Sequence, residues 1–225
     1  MTKIVSEAHM YVSNVDATVS PPTAVAVTSI TKAAPPVVTP ATMPPGIAAG
    51  DYVRFQDTGE PLLDGYAFKV ATVSATGFLL PDVDGTKFNA AVATGTLQAL
   101  TFAGGEVDLM HVCLAAVTIA GQAPDSIALD DMCGSSTKLG SPKPPTFTFS
   151  GLADAGSPGY RNLWRASILN PKPVVWVLFD FGPEGGYAMG PAQIGEMSKN
   201  AATNQGLQFS GSGQYTEMPT YSWAL

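Results

Sequence analysis

Charge is scarce in this chain. Asp, Glu, Lys and Arg together make up 13% of its 225 residues, about half of the ~25% usual for globular domains. The little charge there is leans acidic, with 18 carboxylates against 11 Lys and Arg and a formal net charge of −7. Neither sign is clustered. Proteins that bind duplex nucleic acid gain affinity by neutralising phosphates with Lys and Arg. The missing basic patch therefore argues against sequence-reading of DNA or RNA. A folded chain with so little charged surface fits one that hides part of that surface in an assembly.

Histidine and cysteine are nearly absent as well: His9, His111, Cys113 and Cys133 are all there are. A zinc site needs four ligands at suitable spacing, and no Cys-x-x-Cys occurs, so the two thiols read as a buried thiol pair, with a disulfide as the next reading. His111-Val112-Cys113 could begin a metal or nucleophile site, but no third partner has a supporting motif, and both histidines read as packing residues. Phe209–Gly213 has the composition of a nucleophile elbow without its spacing. Gly182–Gly190 lacks the Lys-Ser/Thr of a P-loop and reads as a hairpin loop. Asp82–Gly85 lacks the remaining ligands of a calcium loop and reads as a turn. Asp130 and Asp131 are adjacent, and adjacent strand residues point opposite ways, which disfavours a paired-acid hydrolase. The expectation is a protein that is not an enzyme and uses no cofactor or metal.

Long hydrophobic runs are missing too. The longest, near Val112–Ala120 and Val174–Phe179, are too short to span a bilayer. Met1–Met10 contains no signal-peptide apolar region. The chain is expected to be soluble, made in a cytoplasm and without a membrane partner.

What the sequence does contain is 23 Gly and 19 Pro punctuating short apolar or alternating runs, the pattern of a strand-rich body. Pro145–Gly151 alternates, and Val174–Phe179 is apolar throughout. Between them Tyr160, Leu163, Trp164 and Ile168 fall at i, i+3, i+4 and i+8, which predicts one short helix with these four on its core face. Residues 33–49 contain five prolines and read as an extended linker that forms no ladder. Residues 50–103 then offer four or five short strands at Tyr52–Gln56, Tyr66–Val73, Phe78–Leu80 and within 88–100, separated by Gly/Asp turns. The expected fold is mainly β: a β-sandwich or open barrel with one flanking α-helix plus an inserted small β-barrel domain. Residues 1–32 and 104–225 would form the parent domain, interrupted by 50–103 at a loop. Ile127–Met132 reads as a turn entering an irregular loop, and Ser135–Pro145 as a polar arm. The inserted part carries 3 basic and 6 acidic groups and the rest 8 and 12, so both parts are acidic.

Taken in order, Ile127–Gly134, the Pro-rich arm, Thr146–Asp154, the helix Tyr160–Ile168, Val174–Phe181 and the ending Gly206–Gly213 resemble the major tail tube proteins of long-tailed bacteriophages. The resemblance covers roughly residues 104–225. Separately, Gly50–Phe55, Leu63–Val70 and Phe78–Asp84 look like a small β-module of phage structural proteins and ubiquitin-activating enzymes. No cysteine lies in that stretch, so no thioester chemistry carries over.

The resemblance implies a structural virion protein. Its subunits would form hexameric rings, join their sheets into a continuous inner barrel, and stack into the hollow tail tube through which genome DNA reaches the host. Partners would be further copies of itself and other tail proteins (tape measure, terminator, distal tail), with DNA passing unbound; assembly would take place in the host cytoplasm, and the virion tail would be its location. Under this implication Asp108, Asp125, Asp130 and Asp131 are candidate lumen or rim acids, able to repel phosphates over a Debye length of about 8 Å. Ser135, Ser136, Lys138 and Lys143 belong to a candidate inter-subunit strap, ordered on assembly. Competing readings are a β-rich adhesion or carbohydrate-binding module, with Trp164, Trp176 and Trp223 as a sugar platform, and another phage structural protein such as a decoration or tail-terminator protein.

Overall fold

A computed structural model describes residues 9–15, 22–130, 136–181, 186–201, 206–217 and 219–222, with side chains described for these except 121–142 and 221–222. In chain order the strands are β1 (His9–Ser13), β2 (Val25–Ile30), β3 (Val37–Pro40), β4 (Tyr52–Gln56), β5 (Ala67–Lys69), β6 (Phe78–Leu79) and β7 (Thr96–Leu100). There follow β8 (Leu109–Val112), β9 (Leu114–Asp130), β10 (Ser136–Leu152), helix α1 (Pro158–Ile168), β11 (Val174–Asp180), β12 (Tyr187–Asn200), β13 (Gln208–Tyr215) and β14 (Thr220–Ser222). The protein is mainly β; the described residues form two antiparallel sheets and one α-helix, consistent with a sandwich flanked by a helix. The larger sheet has the order β8-β1-β11-β12-β13-β10-β9, with β14 also on β12; the smaller runs β5-β4-β7-β2-β3-β6.

Strand β11 explains why Val174–Phe179 shows no polar alternation. Val175, Val177 and Phe179 enter one core with β1, β8, β10, β12, β13 and α1. Trp176 and Leu178 enter a second core, with Val107, Leu109, Tyr187 and Met189 beside Tyr52, Ala67 and Leu100 of the smaller sheet. A strand covered on both faces reads as a continuous apolar run. The same contact joins the two sheets. Buried Tyr52 donates from Oη to Asp180 Oδ2 at 2.9 Å, and Lys69 N–H donates to Tyr187 Oη at 3.1 Å. At the margin Arg54 Nη1 lies 2.8 Å from Glu217 Oε1.

Two glycines in β13 mark a close approach across strands. Gly211 and Gly213 sit opposite Phe149 and Phe147 of β10. A Cβ on Gly213 would lie 2.3 Å from the Phe147 ring, and one on Gly211 2.7 Å from that of Phe149. The rings lie over bare backbone, and the apolar core fills space that side chains would otherwise take.

Helix α1 begins where Ser157 accepts the Tyr160 N–H, with Pro158 in the first turn, a favourable start. Its buried residues are Gly159, Tyr160, Leu163, Ala166 and Ser167. At about 100° per residue these span an arc centred on Leu163. Trp164 lies at the edge of that arc, partly buried against the core. Ile168 falls about 140° from the centre and is 64% exposed, so it does not belong to the core face. Small residues let the helix approach its sheet: a Cβ on Gly159 would meet the His111 carbonyl oxygen at 2.2 Å. Sequence periodicity weighted the large side chains and misplaced the stripe.

The Pro-rich stretch also differs from expectation. Val37–Pro40 is a strand, pairing with β2 and β6. Val25–Ile30, expected in the parent domain, pairs with β3 and β7 in the smaller sheet. Pro40 closes its strand and Pro36 precedes it, positions where a missing N–H costs the ladder little. The core of the smaller sheet accordingly draws on Val27, Ile30 and Val38 as well as Val53, Phe55, Phe68, Phe78 and Leu97.

The placement of α1 yields a direct test. Leu163→Ala should cost about 2–5 kcal/mol, whereas Ile168→Ala should stay within about 0.5 kcal/mol. Urea unfolding of the two variants checks the helix face, and equal costs would refute it.

Candidate assembly surface

The smaller sheet covers only part of the larger one. Along β12, Tyr187 and Met189 lie in the shared core. Beyond a register shift between Ile194 and Met197 the outward residues Glu196, Ser198 and Asn200 are exposed. The open face continues through Ser210 and Ser212 of β13, Thr148 and Ser150 of β10, and Thr118 and Ala116 of β9, which are matched in register. These residues line a shallow concavity of about 570 Å³. Ser198 and Ser210 hydroxyls pair across it at 2.9 Å. Its lining residues carry one charged group, Glu196. Lys199 points to the other side, over the Trp164 ring at 4.0 Å.

Two long edges bound this face. Among the described residues, β9 pairs with β10 alone. The end of β12 pairs with β13 through Asn200, while β11 reaches only Gln193 and β14 only Met189. Such an edge presents unpaired N–H and C=O groups, which natural sheets usually blunt with charge or proline. From Leu114 to Ala123 β9 has no charged residue and no proline; Pro124 comes first.

β9 and β10 also run on past the sheet. β13 meets β10 over Thr146–Leu152, whereas β9 and β10 stay paired out to Asp130 and Ser136. The ten β9 residues beyond Ala120 extend about 34 Å as a two-stranded ribbon. A ribbon of that kind is marginal by itself and gains stability from a third strand or a packed face. Register shifts fall between Ser141 and Lys143 and between Lys143 and Thr146, at the prolines.

This changes the expected arm. Ser136, Lys138 and Lys143 lie in strand β10, opposite Asp130, Ala128 and Gln122, and Ile127–Asp130 is strand instead of a turn. Ile127 and Leu129 alternate opposite Leu139 and Thr137, a period-two pattern that suits a ladder. Ser135 lies outside the described residues.

Of the four candidate acids, Asp108 is half-buried and accepts from Gly105 N–H at 3.0 Å and Thr101 Oγ1 at 3.2 Å. It fastens the turn joining the two sheets and faces no open surface as a free carboxylate. Asp125 and Asp130 lie on the overhanging part of β9; Asp131 lies outside the described residues. Asp51, not singled out by sequence, does related work: its carboxylate accepts from Ala48 N–H at 2.7 Å and Phe102 N–H at 2.9 Å. Burial raises its pKa, against the lowering effect of those two bonds, and Asp108 nearby raises it further.

The expected sugar platform is not assembled. Trp176 is 2% exposed between the sheets, Trp164 lies under Lys199, and Trp223 lies outside the described residues. Cys113 is an exposed free thiol, which corrects the expectation of a buried pair; Cys133 lies outside the described residues. Asp84 caps the turn at Gly85–Lys87, accepting from Thr86 N–H at 3.1 Å, with its pKa lowered chiefly by the Thr86 hydroxyl. Among the described residues there is no helix long and apolar enough to cross a membrane, and no group of three or more His, Cys, Asp or Glu placed to hold a metal ion.

No protein-family model and no curated protein matches the sequence. Solved structures are similar in part, among them two from gene transfer agent particles. One is the virion of a native gene transfer agent particle: TM-score 0.41 and 12% identity, covering 52% of this chain and 89% of that one. The other is the tail of an empty gene transfer agent particle with C6 symmetry: TM-score 0.37 and 14% identity, covering 52% of this chain and 87% of that one.

Proposed function

We propose that this protein is a structural subunit of a phage-type virion tail. It would polymerise as hexameric rings stacked into a tube that conducts DNA. One observation carries the reading: a four-stranded half-sheet whose two edges have no partner among the described residues, with one bare face lined by Ser and Thr and a single carboxylate. β9, β10, β13 and the end of β12 alternate in direction, since each neighbouring pair is antiparallel. Rotating one copy about an axis along the strands brings its β9 edge beside the β12 edge of the next, again antiparallel. The contact is heterologous and head to tail, and it makes a ring where the rotation between copies closes. Closure removes both edges. Six copies contribute four strands each, and twenty-four strands spaced about 4.8 Å apart make a circumference of about 115 Å before tilt. That bore admits a double helix.

The inner wall of such a barrel is the Ser/Thr face, with Glu196 as its charged group. Hydroxyls and a lone carboxylate neutralise no phosphate, so nothing retains a passing duplex. The β9–β10 ribbon is the strap to a neighbouring copy, which supplies its missing third strand. Asp125 and Asp130, on that ribbon, and Asp131 next in sequence would form an acidic rim. The smaller unit, with Tyr52 and Leu100 packed on β11 and β12, lies on the same sheet beside that wall.

Two experiments test this. Replacing residues 122–143 by a two-residue turn removes the ribbon but leaves the described cores intact. The expected product is a monomer whose melting temperature shifts by no more than about 4 °C, or about 1 kcal/mol, and which forms no tubes in negative-stain micrographs. Normal tubes from it would refute the strap. Converting Ser210 and Ser212 to Lys should leave tube formation intact and make assembled tubes retain duplex DNA, with retention falling steeply as salt rises. Assembled variant tubes that bind no more DNA than wild type would place this face outside the bore.

A further inference from the structure

The chain has two histidines, and the fold brings them together. His9 on β1 and His111 on β8 are 102 positions apart, yet His9 Nδ1 lies 3.1 Å from His111 Nε2, at the exposed end of that strand pair. Their ring centroids are 5.3 Å apart. Tyr11, opposite His111 in the β1–β8 register, packs between this pair and Phe102. Its ring is 5.3 Å from His111, 6.4 Å from His9 and 4.9 Å from Phe102. Behind the strand, Ser157 Oγ donates to the His111 carbonyl, and Gly159 allows α1 to press against it. Tyr11 therefore packs on both rings, and α1 fixes the backbone that carries His111, before any ligand arrives.

The geometry points to a binding site for a divalent transition-metal ion, held by His9 Nδ1 and His111 Nε2 across strands β1 and β8. Imidazole nitrogens suit zinc, nickel and copper. Metal–nitrogen bonds of about 2.0–2.1 Å place two tetrahedral ligands about 3.3–3.4 Å apart, and the observed separation is within a few tenths of an ångström of that. Without metal, one ring donates to the other through a shared hydrogen. On binding, that hydrogen moves to the second nitrogen of its own ring, both lone pairs turn to the metal, and two neutral imidazoles release no proton. Water fills the remaining positions, in keeping with the absence of a third ligand among the described residues. A metal held this way fastens β1 to β8, and because the folded pairing positions the ligands, binding favours the folded chain. This site does not depend on the tube reading.

The test uses untagged, metal-stripped, full-length protein titrated with Zn²⁺ or Ni²⁺. Calorimetry should show one ion per chain, and the melting temperature should rise with metal concentration. His9→Gln and His111→Gln should each weaken binding at least tenfold, while Cys113→Ser should leave the affinity within twofold. In wild-type protein, NMR should show the ring signals of both histidines moving together and saturating at one equivalent, a readout that needs no variant to fold. Binding that survives both histidine substitutions, binding lost on Cys113→Ser alone, or movement of a single ring would each overturn the assignment.

Discussion

The two-sided burial of β11 is the constraint on which the rest depends. Val175, Val177 and Phe179 hold α1 and the sandwich on one face; Trp176 and Leu178 hold the smaller sheet on the other. Neither contact can be removed without exposing large apolar side chains, so the two sheets and the helix share one structural axis. β1 and β12 flank that strand. The Tyr52–Asp180 hydrogen bond satisfies polar groups at the border, and burial together with Asp180 raises the Tyr52 pKa far above its ordinary value, keeping the donor proton in place.

From that axis follows an imbalance. The β11 side of the larger sheet is covered twice, while the β12–β13–β10–β9 side is covered on its inner face and bare on the other. The concavity on the bare side exposes Ser, Thr and Ala side chains and one carboxylate. Among the described residues its unpaired groups are backbone: the outer edges of β9 and late β12. Hydrogen-bond groups along a β9 edge free of charge and proline from Leu114 to Ala123 select another strand, and the alternating direction of the four strands makes a second copy of this chain a fitting one. Assembly, in this account, completes a sheet instead of burying a core.

Much of this was legible in the sequence where a side chain and its partner are close in sequence or follow a simple period. The unbroken run Val174–Phe179 read as an apolar strand and is one, and the spacing of Tyr160, Leu163 and Trp164 located the helix. The alternation over Pro145–Gly151 matched a strand that buries Phe147 and Phe149 on one face. What escaped was decided by partners far along the chain. Val37–Pro40 lies among prolines and becomes a strand because β2 and β6 pair with it. Ile168 continues the apolar spacing but faces solvent, because small Gly159, Ala166 and Ser167 set the contact side. Asp108 looked like a surface acid until the turn at Thr101 and Gly105 closed around it. The neutral Ser/Thr face and the meeting of His9 with His111 both come from strand register, which no local pattern encodes.

A reconstruction of the assembled protein by electron cryo-microscopy, at a resolution that separates strands, tests the central claim most directly. The account predicts β9 of each copy about 4.8 Å from the last residues of β12 in the next, antiparallel, in a closed barrel with Ser198, Ser210 and Thr148 facing the bore. Copies joined through other surfaces, with both edges still open to solvent, would contradict it.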